Sequence, residues 1–419
     1  MSQKPKVLFL TSNWPLASAY GGQQRSLNIG KLLSKFCEVS FVIVEATPTD
    51  QETVRRTQSE FDVRRVVRTR PITRGNTFGR LRHRIRHEID PSYLVTADRT
   101  VTESDRTAVL QLMRRYDAVW IHHIFTASVF NIPKWHNSVL DVDDLQSNFY
   151  SSIARTRDNP VRRLFDLRMS WIWRRRERLF TNRFDVVTVC SEQDRRYLGE
   201  RPKIHVLPNG FNLPQSPTHK IISEPLRIGF IGAFNHQPNE EGAKWFIREV
   251  WPLVKREYPR VQLRLVGRKS DGHLMKLGAD IAGLGWLEDP SDEIASWSAM
   301  IVPIRFGGGT RVKIAEAFAR RCPVVTTAVG AFGYDVHDGK EVLLADRPED
   351  FASACVRLLR NPQLGEALSE TAHKRFLQEW TWDSFQNNVV AVMDECLARR
   401  HDSRPLLVEH DNFRNVWDQ

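Results

Sequence analysis

The run Gly307-Gly308-Gly309-Thr310-Arg311-Val312-Lys313-Ile314-Ala315-Glu316-Ala317-Phe318-Ala319 gathers three glycines, two cations and one acid. Glycine lets a backbone pass close to a ligand, because no Cβ stands in the way. Val312, Ala315, Glu316 and Ala319 recur at helical spacing, so a helix should begin directly after the glycines. A helix N-terminus offers free N–H groups and partial positive charge, which suits phosphate. Gly308, Gly309 and Thr310 would line that end, and Arg311 and Lys313 add full charges beside it. Glu316 sits farther in, where a carboxylate can accept two hydrogen bonds from a ribose diol. The arrangement reads as a seat for a sugar nucleotide. The plainer alternative is a tight turn before a solvated basic helix.

Other residues with chemical potential fall at the ends of apolar runs. Gly21 and Gly22 follow the first run and precede a helix, with Arg25 in its first turn. His122 and His123 follow Ala118–Ile121; strand geometry sends one toward a cleft and the other away. Asp141, Asp143 and Asp144 follow the next run. Oxygen ligation of a metal is open to them, but helix capping or pairing with the arginines of 155–178 is the favoured role. Asn209-Gly210 is a turn signal, and Asn239 reads most simply as a helix N-cap near Asn235 and His236.

These residues must be held by alternating strands and helices. Lys6–Thr11, Val39–Val44, Ala118–Ile121, Val139–Val142 and Val186–Cys190 read as buried strands in the first half. Leu226–Ile231, Val261–Val266, Ala299–Pro303, Val324–Thr326 and Val342–Leu344 do so in the second. Such alternation predicts two α/β domains with parallel sheets, binding ligands at the carboxyl ends of their strands. The expected divisions are an N-terminal domain over 1–208, a proline-rich linker over 209–225, a second domain over 226–384, a helix over 385–400 and a tail over 401–419.

Composition bounds the rest. The chain has 419 residues, 41% of them hydrophobic, and no apolar run long enough to span a bilayer. The apolar stretch at the N-terminus is too short for an export signal, so a cytoplasmic location is expected. Cys37, Cys190, Cys322, Cys355 and Cys396 are scattered and read as reduced core thiols. The net charge of +11 is concentrated: eleven arginines between Arg55 and Arg86 face two acids, and ten between Arg155 and Arg183 face three. Such blocks attract anionic surfaces. They lack the interleaved aromatic platform of single-stranded nucleic-acid binders. Thr69–Arg86 reads as a basic loop. Trp171 and Trp173 among arginines suit either a membrane interface or a core helix with snorkelling arginines.

Taken in order, these residues resemble a known family. Gly21-Gly22 with Arg25, a strand ending in His122, Val206-Leu207-Pro208-Asn209-Gly210, Gly232 with Pro238-Asn239-Glu240-Glu241-Gly242, the Gly307–Ala319 run and Pro323-Val324-Val325-Thr326-Thr327 are similar to the retaining GT-B glycosyltransferases of family 4, also called group 1 glycosyltransferases. The resemblance runs from about Lys6 to Leu397. It implies two Rossmann-like domains across a cleft, the second binding a nucleoside diphosphate sugar and the first the acceptor. It implies Glu316 at the ribose, Arg311 and Lys313 at the diphosphate, Gly21 and Gly22 against the phosphates or sugar, and His122 as the histidine at the reacting sugar. The final helix is expected to cross back and brace the N-terminal domain. Two features depart from the pattern. The family's earlier glutamate, separated from Glu316 by seven intervening residues, is replaced by Gly308, and its usual Arg and Lys after the first strand of the second domain are absent.

The reading that follows is retaining transfer of a hexose-type unit from a nucleoside diphosphate sugar to an alcohol. Helix N-termini with Arg311 and Lys313 would neutralise the leaving group, with no cofactor and no metal. A lipid-linked sugar or a growing polysaccharide is the expected acceptor, reached from the inner face of a cell membrane. Epimerisation or hydrolysis of nucleotide sugars, or non-catalytic binding of anions or membranes, are the alternatives.

Overall fold

The computed structural model describes all residues except 1–2, 17–20, 73–80, 82–84, 88, 90–98, 200, 215–219, 222, 273–277 and 403–419. Most of the Thr69–Arg86 segment and the tail therefore lie outside the described residues.

The first domain holds a seven-stranded parallel sheet. Its strands are β1 (Lys6–Thr11), β2 (Glu38–Glu45), β3 (Asp62–Arg68), β4 (Ala118–His122), β5 (Ser138–Asp141), β6 (Val186–Val189) and β7 (Ile204–Val206), in spatial order β3-β2-β1-β4-β5-β6-β7. The second domain holds β8 (Arg227–Ile231), β9 (Gln262–Val266), β10 (Ile281–Gly283), β11 (Trp297–Val302), β12 (Val324–Thr326) and β13 (Leu343–Leu344), in order β10-β9-β8-β11-β12-β13. Parallel pairing runs through both sheets. This is the GT-B arrangement expected from the sequence. The apolar strand runs are found within a residue or two of their predicted ends, because strands buried on both faces cannot tolerate polar residues. The edge strand β3 was absent from that reading. Its sequence, Asp-Val-Arg-Arg-Val-Val-Arg, turns most of its arginines to solvent and hides a strand inside a charge block.

Each sheet reverses direction at its first strand, between β1 and β4 and between β8 and β11. Those switch points open crevices at the strands' carboxyl ends. Three helices start there: α1 (Gly21–Ser34) after β1, α4 (Gln237–Trp245) after β8 and α5 (Val312–Ala319) after β11. Two others, α2 (Gln146–Arg155) and α3 (Pro160–Thr181), pack together on the first domain. Close packing beneath β8 leaves no room at Gly229, where a Cβ would fall in the Trp297 ring.

The last helix, α6 (Gln386–Asp402), returns to the first domain and packs on α1, β5 and β6. His205 Nε2 meets Glu395 Oε2 at 2.5 Å, and Lys35 Nζ donates to Asp383 Oδ1 at 2.8 Å. All five cysteines are buried and unpaired. Among the described residues, no helix is long and apolar enough to cross a membrane.

Candidate active site

Two helix N-termini meet across the interdomain cleft. A Cβ placed on Gly21, the first residue of α1, would lie 3.7 Å from Val312 Cγ2, in the first turn of α5. Gly307 and Gly309 have φ of +135° and +66°, a conformation that β-carbons oppose, so the turn into α5 needs glycine there. No side chain caps α5. Its first-turn N–H groups and those of α1 thus direct partial positive charge at one place.

Arg311 stands at this junction, 8% exposed. Its Nη1 donates to the carbonyl of Gly308, while Nε and Nη2 have no partner. Burial lowers its pKa, opposed by Asp144. Lys313, two residues on, donates from Nζ to Asn239 Oδ1 at 2.8 Å. Burial, then Arg311, pushes its pKa down to about 7. Burial and the same two cations lower His236. Three potential cations therefore crowd a space from which they repel one another's charge, an arrangement that an anion relieves. Glu316 accepts from Arg320 Nε at 3.2 Å, and burial raises its pKa. Arg311 is buried, and Lys313 and Glu316 are half-buried.

The other predicted residues are placed less simply. Thr310 Oγ1 accepts from Asn209 Nδ2 at 2.9 Å, so its hydroxyl ties the second domain to the linker. Gly308 and Gly309 face the first domain: a Cβ on Gly308 would approach the Leu145 carbonyl to 3.1 Å, and one on Gly309 would strike the Asp144 carboxylate. Gly22 lies against Asn13. His122 is wholly buried, with Nδ1 3.0 Å from Ser26 Oγ and Nε2 lacking a hydrogen-bond partner. Burial lowers its pKa and drives that of His123 to about 4, so both rings are neutral at physiological pH. His123 Nδ1 accepts from the Phe125 N–H and so caps a short helix.

Two sequence expectations are corrected. The acids after β5 do not pair with the arginines of 155–178. Asp141 binds the fully buried Arg25 through Nε at 2.9 Å and Nη2 at 2.6 Å. Arg25 also donates to Asn209 Oδ1 and to the Leu207 and Pro208 carbonyls, which employs all five of its N–H groups. Burial works most strongly against its charge, but Asp141 together with Cys190 and Asp143 outweighs it, and the pKa is raised. Asn239 is the second correction: it lies inside α4 and bridges Lys313 to the Ala233 carbonyl, leaving His236 at the cap position.

Asn209 emerges as a hub that its turn motif alone did not reveal. Its amide reaches Asp143 Oδ1 at 2.9 Å as well as Arg25 and Thr310. Asp144 is the second residue whose place was missed. It is exposed in the cleft, close enough to Arg311 for the two charges to interact. Beside the junction runs a groove of about 390 Å³ between Thr156 and Arg157 of the first domain and Gln237, Lys244 and Arg305 of the second.

Residues 225–361, which include the whole cationic turn, match the family model for glycosyl transferases group 1. This segment is a group 1 glycosyltransferase domain. An uncharacterized 44.6 kDa protein of the cps region of Klebsiella pneumoniae is 20% identical over 279 residues, 62% of this chain and 70% of that protein. An uncharacterized glycosyltransferase of Methanocaldococcus jannaschii is 34% identical over 110 residues, 25% of this chain and 31% of the relative. Among solved structures, Anabaena HepE in complex with UDP-glucose superposes with a TM-score of 0.60 at 15% identity, over 93% of this chain and 99% of that one. The glycosyltransferase domain therefore sits within a whole-chain GT-B fold.

Lys313 makes the site sensitive to pH. Its folded pKa lies below the unfolded value, so the fold prefers the neutral amine, and stability from this group rises as pH climbs from about 7 toward 10.5. Anion binding requires the charged form. Affinity for nucleoside diphosphates should therefore fall as pH rises past about 7, by up to about tenfold per unit. Calorimetric titrations from mildly acid to mildly alkaline pH measure this. Lys313→Arg, charged throughout, should flatten the profile.

Proposed function

We propose that this protein transfers a sugar from a nucleoside diphosphate sugar to an alcohol acceptor with retained anomeric configuration, as a family 4 glycosyltransferase. The carrying observation is the meeting of the α1 and α5 N-termini beside the two unpartnered nitrogens of Arg311. A diphosphate leaving group accumulates negative charge as the glycosidic bond breaks, and preset donors lower that barrier. Glu316 would take the ribose, and Gly21 and Gly22 would lie along the phosphates. The HepE complex with UDP-glucose supports a nucleotide sugar as the donor class.

In this reading the bond from the anomeric carbon to the diphosphate oxygen breaks and a bond to the acceptor oxygen forms on the same face. The acceptor proton passes to the departing diphosphate, so no cofactor or covalent nucleophile is needed. His122 would stand at the sugar with Nε2 as its available atom. Because the ring has no exposed surface, the domains must part to admit a substrate. The acceptor would be a lipid-linked sugar or glycan.

A panel of nucleoside diphosphate sugars in thermal-shift assays tests the donor seat. One member near a hundred times its Kd should stabilise the fold by ~2.7 kcal/mol. Labelled donor should then yield a glycoside only with an acceptor present. Absence of binding by every nucleoside diphosphate and its sugars would reject the reading. Product without acceptor would shift it to hydrolysis or epimerisation.

A further inference from the structure

Helix α3 has two apolar faces, and the fold covers one. Met169, Ile172 and Trp173 pack inward with Tyr150 of α2. Val161, Leu164, Phe165, Leu167, Trp171 and Leu179 point the other way, between 43% and 75% exposed. Their spacing places them along one side of the helix. Leu81, Ile85 and Ile89, four apart, are exposed as well. They neighbour α3, since the His87 ring meets Trp173 at 6.0 Å and the His87 carbonyl accepts from Arg176. Nine of the thirteen exposed large apolar side chains among the described residues thus fall on α3 or at Leu81, Ile85 and Ile89 beside it. Clustering of this kind marks an interaction site, whereas scattered exposure does not.

The exposed charges of α3 have one sign. Arg162, Arg163, Arg168 and Arg175 are exposed, while the helix's acids, Asp166 and Glu177, are buried. Arg175 lies over the Trp171 ring, 5.0 Å from its centroid. A protein partner would have to meet any charge buried at the centre of its interface with acids of its own, because unpaired buried charge is costly. Here Arg168 and Arg175 run along the midline between Phe165, Trp171 and Leu179. A lipid interface accommodates both groups, because apolar bodies sink below the headgroups while guanidinium groups reach up to phosphate.

We propose that this face of α3, with Leu81, Ile85 and Ile89, docks the protein on an anionic bilayer. The inference rests on the face itself and stands apart from the transfer reaction. It also brings the interdomain groove close to the lipid, since α3 begins shortly after Arg157, which lines that groove.

Sedimentation of the full chain with phosphatidylcholine vesicles, with and without phosphatidylglycerol, tests the proposal. The protein should pellet with the anionic vesicles and remain in solution with the neutral ones. Each arginine near such a surface contributes roughly fivefold, so Arg168→Gln with Arg175→Gln should weaken partitioning by about 25-fold. Phe165→Ser with Trp171→Ser should also release the protein, with an unchanged heat-denaturation midpoint as the sign of intact folding. A polarity-sensitive dye on Leu164→Cys gives a second readout, because the native cysteines are buried. Its emission should move to the blue on anionic vesicles alone. Equal pelleting with both vesicle types, an unresponsive dye, or folded variants that partition like the parent would overturn the proposal. So would a self-associated chain that ignores vesicles and is dispersed by Phe165→Ser with Trp171→Ser, since a second copy would then cover the face.

Discussion

Arg311→Ala should lower kcat/KM for the nucleotide-sugar donor by about a hundred- to a thousandfold, the loss typical of removing one preset donor to a developing anion. Nε and Nη2 of Arg311 are buried and unpartnered, a state that is costly unless a ligand completes it. The same residue is anchored through Nη1 to Gly308, so its fork is aimed before the donor arrives. Arg311→Lys should recover little, because one ammonium cannot keep that anchor and also present two further donors in a plane. Stability should hold or improve in the alanine variant, since a buried, half-satisfied cation is removed. Steady-state kinetics with a fixed acceptor, alongside thermal unfolding, separate the two effects. Unchanged kinetics in both Arg311→Ala and Lys313→Ala would reject the donor seat.

Asp141→Ala should cost about 3–5 kcal/mol of stability, because it strands a wholly buried guanidinium. The loss would spread beyond one pair. Arg25 also holds the Leu207 and Pro208 carbonyls and Asn209, where the chain leaves the first domain. Asn209 in turn holds Thr310 of the second domain. A lowered denaturation midpoint together with faster proteolysis between the domains is the expected result. The joint replacement Arg25→Met with Asp141→Leu should restore most of the midpoint, because apolar side chains remove the cost of burying charge. A double variant no better than Asp141→Ala would assign the loss to the linker contacts instead.

How much of this was legible in the sequence depends on the range of the interaction concerned. Continuous apolar runs such as Val7–Leu10 and Met300–Val302 declare buried parallel strands by themselves, since every side chain must avoid water. The turn into α5 was equally plain, because only glycine serves at Gly307 and Gly309 and the cations follow at once. Helix α3 was read only in part. Its sequence suited a membrane interface and a core helix with snorkelling arginines equally, and the two tryptophans divide between those roles: Trp173 is buried while Trp171 is exposed.

The sequence alone therefore determined the parallel strands, the glycine turn and the local chemistry of Arg311, Lys313 and Glu316, all of which depend on residues a few positions apart. Tertiary structure alone decided the partners. Arg25 finds Asp141 across 116 positions, Asn209 finds Thr310 across 101, and Gly21 reaches Val312 from the opposite domain. An aspartate after a strand looks the same whether it meets solvent, a metal or a buried guanidinium. Which of these it meets is set by how two sheets and a crossing helix close on one another, and no local spacing encodes that.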